Sequence, residues 1–179
     1  MKTNILRTGI LTLIALFVTS ALVMGQNRGS KKARPSPNAA VSQTIGTTMV
    51  DVTYGRPGLK GREIESLVPG GTVWRTGANE STVVTFSGDV KVAGKAVEAG
   101  SYSLYSIPRE YEMTIIVNSK LSWGTQYDES HDVLRVNVPM SDNGAFLERF
   151  TIDFDELSDD KAHLNLKWGN YRVAVPIEG

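Results

Sequence analysis

Lys161-Ala-His-Leu-Asn-Leu-Lys-Trp168 sets apolar Ala162, Leu164, Leu166 and Trp168 against polar Lys161, His163, Asn165 and Lys167 in strict alternation. A period of two puts one set on each face of an extended chain, so the stretch predicts a β-strand with one buried and one wet face. The segment before it repeats the pattern, with Phe146, Phe150, Ile152 and Phe154 alternating with Leu147, Arg149, Thr151 and Asp153. The polar residues 155–161 between the two suit a hairpin loop. Working outward, similar β-branched and aromatic stretches occur at 40–45, 48–54, 82–86, 90–93, 101–107, 113–117, 133–138 and 171–177, punctuated by Gly, Pro, Asn and Asp. Ten short strands and no helix of ordinary length are therefore expected. Ser87-Gly88-Asp89 and Ala93-Gly94-Lys95 place glycine where tight turns need positive φ, and Pro108 and Pro139 fall at strand ends, where a missing N–H is tolerated. The expected fold is all-β, an antiparallel two-sheet sandwich of jelly-roll type, favoured because the strands are short and uneven, with a β-barrel as the alternative. Residues 55–79 break the pattern: Pro57, Gly58, Gly61, Pro69, Gly70, Gly71 and Gly77 leave room for a single helical turn at 64–67. Irregular segments of that length are uncommon in compact domains and often carry function.

The chain has 179 residues, 19 Lys+Arg, 19 Asp+Glu, 41% hydrophobic residues and no Cys. That suits one globular domain and excludes thiol catalysis, disulfides and cysteine metal sites. The charge balance gives no basic excess for nucleic acid, which is not expected as a partner. Residues 1–25 read as a secretory signal: Lys2 and Arg7 precede the uncharged run 10–24, which is shorter than the roughly 20 residues of a membrane span. Cleavage is expected before Gln26, giving an exported protein, periplasmic or extracellular, with no stable membrane insertion and no cysteine for a lipid anchor. The mature chain keeps 17 basic and 19 acidic residues and is mildly acidic. Residues 26–38 are polar, with Arg28, Lys31, Lys32, Arg34 and two prolines, and read as a flexible leader. The alternative is that these cations touch anionic lipid or polysaccharide. Residues 39–179 form the single expected domain.

Tyr54-Gly-Arg-Pro-Gly-Leu-Lys-Gly-Arg-Glu63, Leu67-Val-Pro-Gly-Gly-Thr-Val-Trp-Arg-Thr-Gly-Ala-Asn-Glu80, Ala99-Gly-Ser-Tyr-Ser-Leu-Tyr-Ser-Ile-Pro108 and Trp123-Gly124 resemble the DUF2911 family, exported proteins common in Bacteroidetes. The resemblance covers residues 36–176, and the run 73–80 is its most specific part. It implies a β-rich secreted domain and no activity. Proteins of this kind usually carry an aromatic where Gly70 stands, so any contact it would supply is missing.

Within the irregular segment, Arg56, Lys60, Arg62, Arg75 and Asn79 gather with Glu63 and Glu80 beside Tyr54 and Trp74. Guanidinium forks suit carboxylates, phosphates and sulfates, and an aromatic wall suits a sugar ring, so Arg56, Lys60, Arg62, Trp74, Arg75, Asn79 and Glu80 are candidate ligand contacts for a glycan or small anion. The competing reading is a brace in which Arg75 and Glu80, or Arg62 and Glu63, satisfy one another and the loop carbonyls. Tyr105 alternates with Tyr102 and is a candidate open sugar platform, or half-buried packing. Trp123, Tyr127, Asp128, Glu129, His131 and Asp132 form a second polar group, but its spacing matches no metal motif and no metal is expected. No nucleophile elbow, Walker loop or dinucleotide fingerprint appears, and no cofactor is expected. Catalysis would rest on paired carboxylates, with Glu63 and Glu80 as the candidate acid and base of a glycan hydrolase. The primary expectation is a ligand-binding module; the others are that hydrolase and an envelope structural or interaction protein.

Overall fold

The computed structural model describes residues 28 and 32–179, so the expected signal lies outside the described residues. Eleven strands follow in order: β1 (Asn38–Ile45), β2 (Thr48–Gly55), β3 (Thr82–Phe86), β4 (Val90–Val92), β5 (Lys95–Val97), β6 (Gly100–Pro108), β7 (Glu112–Asn118), β8 (Asp132–Ser141), β9 (Leu147–Asp155), β10 (Lys161–Gly169) and β11 (Tyr171–Glu178). One α-helical turn, α1 (Ile64–Leu67), sits where the sequence leaves room for it, and a 3-10 turn spans Glu129–His131. The all-β, antiparallel expectation holds. The strands form one sheet in the order β1-β2-β3-β6-β7-β8-β11-β10-β9, nearly closed into a barrel, with the β4–β5 hairpin attached to β11. The barrel form of the expectation therefore describes it well, and its sandwich character survives at the narrow join, where only Arg172↔Ser141 and Val173↔Met140 pair β11 with β8.

Closure uses the chain that follows β2. The Phe150 N–H donates to Pro57 O at 2.9 Å, and the Leu59 N–H to Glu148 O at 3.0 Å, so residues 57–59 run against β9. Arg56 adds Nε to Phe150 O at 3.0 Å and Nη2 to Thr151 Oγ1 at 2.8 Å. Backbone groups that would stand unpaired at a sheet edge are thereby satisfied. Inside, Val50, Val52 and Tyr54 of β2 share one core with Leu164, Leu166 and Trp168 of β10 and with Phe150 and Ile152 of β9. Each such side chain contributes about 1.5–3 kcal/mol by leaving water, which makes the alternation, more than any polar contact, the determinant of strand register.

Four expectations are corrected here. β5 is an additional strand; its three residues bury only Val97 and are too few to show a period. Phe146, expected inward, precedes β9 and is 61% exposed, beside the register shift between Lys167 and Gly169. Gly94 does take positive φ, at 78°, whereas Gly88 is needed for space, since a Cβ there would meet Thr48 Oγ1 at 2.7 Å. Finally, the described part of the expected leader is tied to the barrel: Pro37 O accepts the Arg56 N–H at 2.8 Å, Ser36 O accepts Asn79 Nδ2 at 3.2 Å, and Arg28 is buried. Polarity suggested a solvated linker, yet carbonyls and guanidinium groups are what the irregular segment lacks as partners.

Candidate functional site

Residues 64–74 cross one end of the barrel. Trp74 anchors them by a two-way backbone pairing with Ser106 of β6, at 2.7 and 2.8 Å, and its indole Nε1 donates to Gly77 O at 3.1 Å. Its ring stacks on Trp168 with centroids 5.7 Å apart at 16° and meets Phe150 edge-on at 4.9 Å. Offset stacking and edge contacts of this kind are worth about 0.5–1.5 kcal/mol each beyond burial, so the three rings form a fixed aromatic floor.

Above that floor lies an open cleft of about 610 Å³. Leu166 and Met113 add to its apolar base, while Glu65, Glu110, Asp142, Tyr111, Tyr171 and Arg109 stand around it. The Tyr171 hydroxyl donates to Glu65 Oε1 at 2.6 Å. That hydrogen bond, with some burial, pushes the Tyr171 phenol up to about 12. Glu110 likewise raises the phenol of Tyr111, with Asp142 contributing. Both shifts report a rim of negative potential, since nearby carboxylates disfavour a second anion. Arg109 is directed to Glu112 at 3.8 Å.

The sequence candidates divide around this cleft. Trp74 lines it; Arg56, Lys60, Arg62, Arg75, Asn79, Glu80, Glu63 and Tyr105 do not. Arg56 is engaged with β9 as described, and the Lys60 N–H donates to Glu148 Oε1 at 2.8 Å. Asn79 adopts φ 66° and reaches Ser36. Glu63 is exposed at the start of α1. Glu80 is 7% exposed and is gripped through both oxygens by Arg34 Nη1, at 2.8 and 3.0 Å, with Arg28 Nη1 at 3.8 Å. Burial raises the Glu80 carboxyl, but the Arg34 hydrogen bonds and the two positive charges outweigh it and hold the carboxyl below its usual range. The expected Arg75–Glu80 brace is thus replaced by an Arg34–Glu80 one. Glu63 and Glu80 stand in different surroundings, Glu63 near Tyr171 and Glu80 between arginines.

Tyr105 is corrected as an open platform: it is 1% exposed, packed edge-on against Tyr127 at 4.9 Å, because residues 119–131 fold over the outer face of β6. The polar group on that loop is internally satisfied. Tyr127 and Arg135 both donate to Asp132 Oδ2 at 2.6 Å, and Ser130 and Lys120 hold the Asp128 carboxyl down to about 2. Among the described residues no group of three or more His, Asp or Glu side chains is placed to hold a metal ion.

Sequence reasoning missed Glu65, Glu110, Tyr111, Asp142 and Tyr171. Each lies on a turn, a strand end or the short α1, and only the topology brings the β6–β7 turn opposite α1. The available signal was Tyr111, a large aromatic within a polar turn, which is 75% exposed.

These features define a nearly closed antiparallel β-barrel with an aromatic-floored cleft at one mouth. The chain matches the model of DUF2911, a protein family of unknown function, over residues 36–177 and belongs to that family. No curated protein and no solved structure matches it.

Proposed function

We propose that the protein is an exported binding module that holds a neutral carbohydrate in the mouth cleft. The observation that carries this reading is the pairing of half-buried Trp74, backed by the buried rings of Trp168 and Phe150, with a carboxylate and tyrosine rim. A sugar ring offers an apolar C–H face to stack on indole and hydroxyls to donate to carboxylates. The volume falls in the ordinary range for small-ligand sites, about 300–1,000 Å³. Glu65, Glu110 and Asp142 disfavour an anionic ligand here, which separates this cleft from the arginine-centred site expected from sequence. Export rests on residues 1–25, with their basic start and uncharged run. Among the described residues no helix is long and apolar enough to cross a membrane.

Calorimetric titration with neutral mono- and disaccharides tests the reading. Glu65→Gln and Asp142→Asn change exposed rim groups and leave the floor intact. Each is expected to weaken binding about ten-fold, the equivalent of one charge-assisted hydrogen bond. Saturable sugar binding that neither variant alters would remove the ligand from this cleft.

A further inference from the structure

Behind the Trp74–Trp168 wall lies a second cavity of about 540 Å³ with the opposite charge pattern. Arg62 and Arg75 line it together with Ser36, Thr125 and Tyr127, and no Asp or Glu does. Arg62 is pinned, with Nε donating to Leu59 O at 2.9 Å and Nη2 to Gly58 O at 3.1 Å. Its Nη1 is left free among the described residues. Arg75 has no ion pair there, and its Nε is buried without an acceptor. Its stem crosses Gly124, where any Cβ would collide with Arg75 Cβ and Cδ, so glycine at 124 is what lets Arg75 lie along the wall.

Acids in the neighbourhood are committed elsewhere. Glu80 is held by Arg34 at 2.8 Å, and Asp132 accepts from Tyr127 and Arg135. An arginine beside an open cavity with no carboxylate partner has its Nη groups left to bind a ligand. Two guanidinium groups in a cavity with no carboxylate attract an anion, and the planar fork fits two oxygens of one group.

We propose that this cavity is an oxyanion site, in which the Arg75 fork grips a carboxylate, sulfate or phosphate and Arg62 supplies the second charge. The site is separate from the mouth and does not depend on sugar binding there.

The purified protein is titrated calorimetrically with sulfate, phosphate and glucuronate, with glucose as the uncharged control and ionic strength held constant with sodium chloride. At least one oxyanion is expected to bind saturably. Arg75→Gln and Arg62→Gln should each weaken that binding about ten-fold, while Lys95→Gln, an exposed cation outside both cavities, leaves it unchanged. Arg62 is exposed, so its variant keeps the test open even if Arg75→Gln fails to fold. Binding of inorganic ions alone would identify a free oxyanion as the ligand, and binding of glucuronate alone, weakened by either arginine variant, a sugar-borne one; either supports the site. No saturable binding at millimolar concentration, or equal binding by the parent and both arginine variants, overturns it. Oxyanion binding that succeeds while every neutral mono- and disaccharide fails would remove the mouth reading and leave this one standing.

Discussion

Arg34 and Arg75 carry the same guanidinium group to opposite ends. Arg34 neutralises a buried carboxylate, whereas Arg75 faces a cavity with no acid in its lining. Arg34→Ala should therefore cost about 3 kcal/mol, the low end of the range for breaking a buried pair, because Arg28 still stands near Glu80. Arg75→Ala should cost near zero to about 1 kcal/mol. Denaturant midpoints of the two variants check the contrast, and equal losses would contradict it. The Arg34 contribution also depends on pH. Since the folded Glu80 carboxyl lies below its usual range, the stabilisation is complete above that range and disappears as pH falls through the lowered value. Glu80→Gln should flatten this part of the acid limb. The sequence showed that arginines and glutamates gather in the irregular segment, but not which would pair. Arg34 and Glu80 are 46 positions apart, and the antiparallel β1-β2-β3 pairing, which sets the start of β1 and the start of β3 at the same end of the sheet, brings them together.

At the scale of elements, alternation of apolar residues carried most of the information. Together with the β-branched and aromatic stretches between turn residues it located every strand except β5, because a side-chain period of two survives any tertiary arrangement. It failed where burial does not alternate. β6 is buried from Tyr102 to Ile107 on both faces, since residues 119–131 cover its outer side, and this is why Tyr105 looked like a platform. It also gave nothing for the described residues before β1, Arg28 and 32–37, whose attachment runs through hydrogen bonds and the Arg34–Glu80 pair. That attachment makes a prediction: a chain beginning at Ser36, where the family match also begins, lacks Arg28 and Arg34 and should melt below one beginning at Gln26. The gap should close in a Glu80→Gln background, where no carboxylate needs its partners. A gap that persists there would assign the stabilisation to packing instead.

For the whole molecule, closure of one sheet leaves a mouth, and the irregular segment divides the space there into two cavities sharing Val68, Trp74 and Trp168. One is ringed by Glu65, Glu110 and Asp142, the other by Arg62 and Arg75. Binding at the arginine side should weaken as salt rises, while stacking of an uncharged ring at the mouth should change little. The segment 55–79 was legible as the functional stretch by its glycines and prolines, and Trp74 as its aromatic. The division of charge was not, because half the rim comes from other strands. The three tryptophans supply the most direct test. Trp74 and Trp168 form the floor, and Trp123, 50% exposed on the covering loop, is an internal reference. In nitrogen-15 spectra recorded during a neutral-sugar titration, the indole signals of Trp74 and Trp168 should shift together and saturate while Trp123 stays fixed. Movement of Trp123 alone, or no movement at saturating sugar, would contradict a carbohydrate site at the mouth of the barrel.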